Sequence, residues 1–143
     1  MICQGNRILL GLKKRGFGEG KLIGFGGKVN AGEKIEDAAL REVLEEAQIT
    51  PKNLEKMGIL EFAWDYKSEV HEVHIFKVTD FSGTPMETEE MKPEWFLLNE
   101  IPYEKMWVDD KYWLPMFLEN KKFSGKFLLD KNNALVSHQL EQV

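Results

Sequence analysis

Gly27-Lys28-Val29-Asn30-Ala31-Gly32-Glu33-Lys34-Ile35-Glu36-Asp37-Ala38-Ala39-Leu40-Arg41-Glu42-Val43-Leu44-Glu45-Glu46-Ala47-Gln48-Ile49 is the stretch on which the reading of this chain turns. It opens as a glycine-rich loop and continues with helical spacing. Ile35, Ala38, Ala39 and Val43 recur three and four apart, and neither Pro nor Gly interrupts Glu33 to Ile49. At about 100° per residue, Glu42 and Glu46 fall within roughly 20° of Ile35, and Glu45 about 80° away. Three carboxylates are therefore expected on one side of a helix, the side shared with Ile35, Ala38 and Ala39.

An acid-rich helix usually presents a solvated face. Here the acids interrupt the apolar arc instead of lying opposite it. Like charges three and four apart repel, and half-burying them costs more unless a cation compensates. An oxygen-only set suits a hard ion such as Mg²⁺, which keeps several waters and is completed by substrate phosphates. A metal site is the stronger reading of these residues.

The 143 residues suffice for one domain with a real core. With 43% hydrophobic and 30% charged residues the composition is that of an ordinary globular chain. The apolar runs are far too short to span a membrane, and no basic stretch followed by an apolar core opens the chain. The single cysteine, Cys3, excludes an internal disulfide and fits a reducing compartment, so the cytoplasm is expected. A formal charge of −5 argues against a nucleic-acid-binding surface.

Along the chain, Arg7–Leu12 reads as a strand, Lys13–Gly20 as a loop that is basic at one end, and Gly24–Val29 as a glycine-dense connector. Pro51 is expected to stop the helical region. Lys56–Trp64 and Val70–Thr79 read as strands separated by a polar turn, Asp65–Glu69. Gly83-Thr84-Pro85 marks a break and Glu94–Leu98 a short strand. Asp109–Asn120 reads as a second helix, capped by Asp109 or Asp110 and kinked at Pro115. Phe123–Leu129 and Ala134–Leu140 close the chain as a hairpin around Asn132-Asn133. Strands interleaved with two helices predict an α/β or α+β fold with a mixed sheet.

Gly27, Glu33 and the run Arg41-Glu42-Val43-Leu44-Glu45-Glu46 stand at the spacing of the Nudix box, and the chain resembles the Nudix hydrolases. That resemblance implies an α/β/α sandwich spanning residues 1–143 as a single domain. It extends to Leu10–Gly18, Gly24–Val29, Gly83-Thr84-Pro85 and Trp107–Trp113, which are similar to the subfamily that hydrolyses oxidised purine nucleoside triphosphates. The implied reaction takes an 8-oxo-dGTP-type substrate to the monophosphate and pyrophosphate, cleansing the nucleotide pool.

By the same resemblance Glu42, Glu45, Glu46 and Glu90 are the catalytic acids and the ligands of Mg²⁺, with Mn²⁺ as a substitute. The ion would neutralise phosphate charge, orient the phosphate chain and acidify a bound water. Glu33 and Arg41 form an expected ion pair that supports the loop. Gly26, Gly27 and Lys28 would face the phosphates. Phe17 and Trp107 match aromatic positions around the purine, and Asp109 and Asp110 match an acidic pair that reads its edge. Two adjacent carboxylates beside Trp107 and Trp113 should not both ionise easily, so one is expected to be protonated. Without the resemblance, Glu90 reads as an exposed loop acid, Phe17 and Trp107 as core, and Asp109-Asp110 as a helix cap.

Two positions and the start of the chain depart from the pattern. Gln48 stands where the family has a helix-ending Gly, implying a different or longer helix end. Ile23 replaces a base-reading Asn, a loss worth roughly 0.5–1.5 kcal/mol of hydrogen bonding. Counted back from Leu9-Leu10-Gly11, the chain also begins about ten residues late, a strand's length, so most of a first strand is expected to be missing. The alternatives are a Nudix enzyme acting on other nucleoside triphosphates or nucleoside diphosphate derivatives, and a silent nucleotide- or partner-binding module. A monomer acting on a small nucleotide is expected.

Overall fold

In chain order the computed structural model, which describes residues 1–143, contains β1 (Ile2–Gln4), β2 (Arg7–Lys13), β3 (Leu22–Ile23), α1 (Ile35–Ala47), β4 (Thr50–Pro51), β5 (Glu55–Trp64), β6 (Lys67–Lys77), β7 (Phe81–Ser82), β8 (Met91–Leu97), α2 (Asp110–Leu118), β9 (Phe123–Leu129) and β10 (Leu135–Gln142). They fall into two compact units, Met1–Glu55 with Phe76–Met106, and Lys56–Ile75 with Trp107–Val143.

In the first unit β2 is central. It pairs antiparallel with β1, β3 and β8, and its Ile8, Leu9 and Leu10 are fully buried. Consecutive apolar residues point to opposite faces of a strand, so both faces of β2 are covered. The short β1 turns into β2 at Gly5, whose φ is +59°. Pro93 lies within β8, opposite Gly11, on an edge strand where a missing N–H costs no ladder bond.

Helix α1 packs Val43 and Ala47 into a core with Ile2, Leu9, Ile49 and Val78, flanked by Phe25, Leu54, Phe81 and Trp95. Glu36 and Asp37 occupy its first turn, where negative charge complements the exposed N–H groups. The expectation of a different or longer helix end is corrected here. The helix stops at Ala47 because Gln48 itself adopts the left-handed conformation (φ 58°, ψ 33°), its N–H bonding to the Leu44 carbonyl. Nor does Pro51 stop the helix; it pairs with Phe81 in the β4–β7 ladder. The Met86 N–H and the Thr88 hydroxyl donate to the Ala47 and Glu46 carbonyls, at 3.0 Å each. A loop thus satisfies acceptors that a helix end leaves open.

The second unit holds a sheet of order β10-β9-β5-β6. β9 runs antiparallel to β10 and parallel to β5, so this sheet is mixed. Asn133, at φ 60°, sits in the β9–β10 turn and accepts the Trp64 indole N–H at 2.9 Å. The expected Asp65–Glu69 turn shortens to Asp65 and Tyr66. Polar residues from Lys67 onward still join β6, because an edge strand can expose them. Helix α2 contains Pro115 and buries Trp113, Leu114 and Phe117, with Trp113 stacked 5.5 Å from Phe123. The fold is mixed α+β.

Candidate metal and phosphate site

The glycine loop lies against the acidic side of α1, within the first unit. Glu46 is only 4% exposed and its Oε1 accepts the Gly26 N–H at 2.8 Å. A side chain at residue 27 would crowd the Glu42 carboxylate. A Cβ there would meet the Glu42 carboxyl carbon at 2.5 Å and its oxygens at 2.5 and 2.7 Å. The glycine loop and two of the three helix acids therefore form one packed piece. Glu45 differs from its expected place in the apolar arc, its side chain being 56% exposed.

Arg41 fastens this piece. Its Nε and Nη2 donate to the two oxygens of Glu33 at 2.9 and 3.0 Å, and Nη2 also donates to the Lys28 carbonyl at 3.1 Å. Its Nη1 reaches Glu42 at 2.7 Å and Glu45 at 3.4 Å. Glu33 accepts the Asn30 N–H as well, and the Arg41 bonds lead that contact in holding its carboxyl down at about 2.

Glu90 immediately precedes β8, where the ladder brings Lys13 opposite Met91. Lys13 Nζ lies 3.2 Å from Glu90 Oε2, and Arg15 holds Glu90 Oε1 through Nε at 2.8 Å and Nη2 at 2.6 Å. Burial raises the Glu46 carboxyl to about 7 against the pull of the Gly26 bond, Glu42 and Glu90 raise it further, and Lys13 opposes them. Glu42, Glu46, Glu90 and Lys13 thus share one electrostatic neighbourhood.

Arg41 holds Glu42 and Glu45, the Gly26 N–H holds Glu46, and Lys13 and Arg15 hold Glu90; no three of the acids close on a common point as a ready-made cage. The donor set nonetheless fits a hard divalent ion. It is oxygen only, it sits on adjoining turns of one helix plus a nearby loop, and it carries like-charge repulsion that a cation would relieve.

Lys13, Arg15 and Thr88 were not singled out as site residues from the sequence. The basic run Lys13-Lys14-Arg15 was visible, but its acidic partners lie more than seventy residues away and only the β2–β8 register joins them.

The remaining expected residues divide between the units. Phe17, in the β2–β3 loop, is 72% exposed and is therefore not core. Ile23 pairs with Gly11. In the second unit Trp107 is half-buried, and Asp109 and Asp110 are buried. Asp109 occupies the cap position of α2 without capping it through its side chain; its Oδ2 accepts the Trp113 indole N–H at 2.8 Å. Burial pushes its carboxyl up, against the Trp113 bond.

Comparison with known proteins places this geometry. The NUDIX domain model matches residues 1–117. Over 143 residues the chain is 46% identical to proteins named oxidized purine nucleoside triphosphate hydrolase from Danio rerio and from Mus musculus, covering 100% of this chain and 92% of each relative. The crystal structure of the Mutator MutT protein from Bacillus halodurans superposes with a TM-score of 0.88 at 29% identity, covering 98% of this chain and 93% of that one. The chain belongs to the NUDIX domain family.

Proposed function

We propose that this Nudix hydrolase acts on oxidised purine nucleoside triphosphates of the 8-oxo-dGTP type, releasing the monophosphate and pyrophosphate. The observation that carries the reading is the seating of Glu42 and Glu46 on Gly27 and Gly26, in a chain 46% identical along its whole length to relatives named for that activity. Nudix hydrolases use divalent ions, and the ion proposed here is Mg²⁺, with Mn²⁺ as a substitute. When bound it would neutralise phosphate charge and acidify a water.

The chain's own residues do the rest. Glu42, Glu45, Glu46 and Glu90 would hold the ion. Arg41 and Glu33 hold the glycine loop against α1, so that Gly26, Gly27 and Lys28 border the phosphates. Trp107 and Phe17 would stack on the purine. Asp109, whose carboxyl burial raises, and Asp110 would read the base edge together, one of the pair donating and the other accepting. The protein is proposed to work as a single-domain monomer in the cytoplasm, on a free nucleotide rather than on nucleic acid. No helix is long and apolar enough to cross a membrane.

Ile23 supports a second reading, a broader purine triphosphatase, because its side chain cannot hydrogen-bond to a base. Turnover of 8-oxo-dGTP against dGTP, with and without Mg²⁺, separates the two. A strong preference for the oxidised base supports the first reading and equal rates the second. Absence of turnover on any nucleotide would reject both in favour of a silent binding module.

A further inference from the structure

Both oxygens of Glu90 are taken by cations. Oε2 faces Lys13 Nζ at 3.2 Å, and Oε1 faces Arg15 Nη2 at 2.6 Å and Nε at 2.8 Å. Oε1, already accepting from two Arg15 nitrogens, has no lone pair to spare, whereas Oε2 accepts only from Lys13; to take an ion through Oε1 the acid must give up Arg15. The two cations differ in how easily they leave. Lys13 is the last residue of β2, its backbone in the ladder and its side chain 17% exposed. Arg15 is 59% exposed and is followed by Gly16 and Gly18, at φ +78° and +88°. Its loop departs from the ladder, and its guanidinium fork matches phosphate as well as carboxylate.

We propose that Arg15 is an exchangeable counter-ion for Glu90: a divalent ion displaces it from that carboxylate, and the released guanidinium turns to the phosphates of the incoming nucleotide. Arg15 is thereby a positioning residue that couples ion binding to nucleotide binding. The surroundings favour exchange over rupture. The loop that carries Glu90 is held independently of Arg15, by the Lys14 Nζ bonds to Glu87 and to the Thr88 carbonyl and by the Thr88 hydroxyl on the Glu46 carbonyl. Removing the guanidinium should therefore free Glu90 without unfastening its loop. Coupling of this kind is reciprocal, each ligand aiding the other by the same factor. The inference rests on the proposed role of Glu90 as an ion ligand.

The test is Mn²⁺ binding, followed by electron paramagnetic resonance, on the full chain and on Arg15→Ala and Arg15→Lys. Without nucleotide, Arg15→Ala is expected to bind Mn²⁺ about two- to fivefold more tightly, the range for losing one exposed competing ion pair. The second measurement is the affinity for a methylene-bridged purine nucleoside triphosphate analogue, at zero and at saturating Mn²⁺. The ratio of the two should be smaller in Arg15→Ala than in the wild type; Mn²⁺ carried by the analogue itself enters both ratios equally. Arg15→Lys keeps the charge without the fork and should restore only part of the coupling. Unchanged or weaker Mn²⁺ binding by Arg15→Ala would overturn the counter-ion role alone. A wild-type chain that takes up no Mn²⁺ would overturn the metal site as well.

Discussion

Glu46 and Gly26 are joined by a 2.8 Å hydrogen bond from the glycine N–H to a carboxylate that is almost entirely buried. An acid on α1 thus shapes the loop that precedes its own helix. The loop in turn leaves room for Glu42 only because residue 27 has no Cβ. Any change to one partner is transmitted to the other.

Glu46→Gln keeps an oxygen for the Gly26 N–H but removes the charge. Turnover of 8-oxo-dGTP should fall by about 100-fold or more, beyond the 10–100-fold typical of groups that only support a metal ligand, with an unchanged circular dichroism spectrum. Near-normal turnover would remove Glu46 from the ion site.

The same residue sets a pH dependence of stability. Its carboxyl is raised to about 7 from an ordinary 4.5, so between these values the folded chain holds a proton that the unfolded chain has lost. Stability is greatest below the unfolded value and declines as pH rises through the folded one, by on the order of 1–3 kcal/mol. The buried Met1 amino group, lowered to about 6, contributes the opposite slope, so the Glu46 contribution is read from urea unfolding with a chelator at pH 5 and pH 8 as the difference between the wild type and Glu46→Gln. The decline should be markedly smaller in Glu46→Gln.

Gly27→Ala forces the Glu42 carboxylate to move. Because that carboxylate is the far end of a flexible side chain, the expected cost is about 1 kcal/mol or less, at or below the low end of overpacking, together with weaker Mn²⁺ binding. Thermal unfolding and Mn²⁺ titration measure the two separately. An alanine variant with wild-type ion affinity would show that the Gly27–Glu42 contact does not matter to the site.

Gln48→Gly removes a side chain from a left-handed position with φ 58°. Relief of the steric cost there, offset by the greater freedom of glycine when unfolded, should stabilise the chain by about 0.5–1 kcal/mol. That corresponds to a rise in Tm of roughly 2–4 °C for a chain of this size. Calorimetry showing a lower Tm would mean that the Gln48 side chain makes a stabilising contact.

Asp109→Asn combined with Asp110→Asn should raise KM for oxidised purines more than it lowers kcat. An unaltered preference between 8-oxo-dGTP and dGTP would place base reading elsewhere.

The helix, its acids and their glycine loop were legible in the linear chain because they are local. Periodicity places Glu42 and Glu46 on the buried side, and the short separation from Glu33 to Arg41 lets a helix and the loop before it meet. The β9–β10 hairpin was legible for the same reason, its turn being built on Asn132-Asn133. Gln48 was misjudged because intrinsic preference disfavours a left-handed glutamine, whereas the bonds from Met86 and Thr88 help hold the helix end in place. The engagement of Glu90 by Lys13 and Arg15 lay beyond sequence reasoning. It exists only because β2 and β8 pair in one register, and pairing between segments so far apart is decided by burial of the whole sheet rather than by any neighbouring residue. Local spacing determined which chemistry the chain carries. Long-range strand pairing decided which cations stand guard over it.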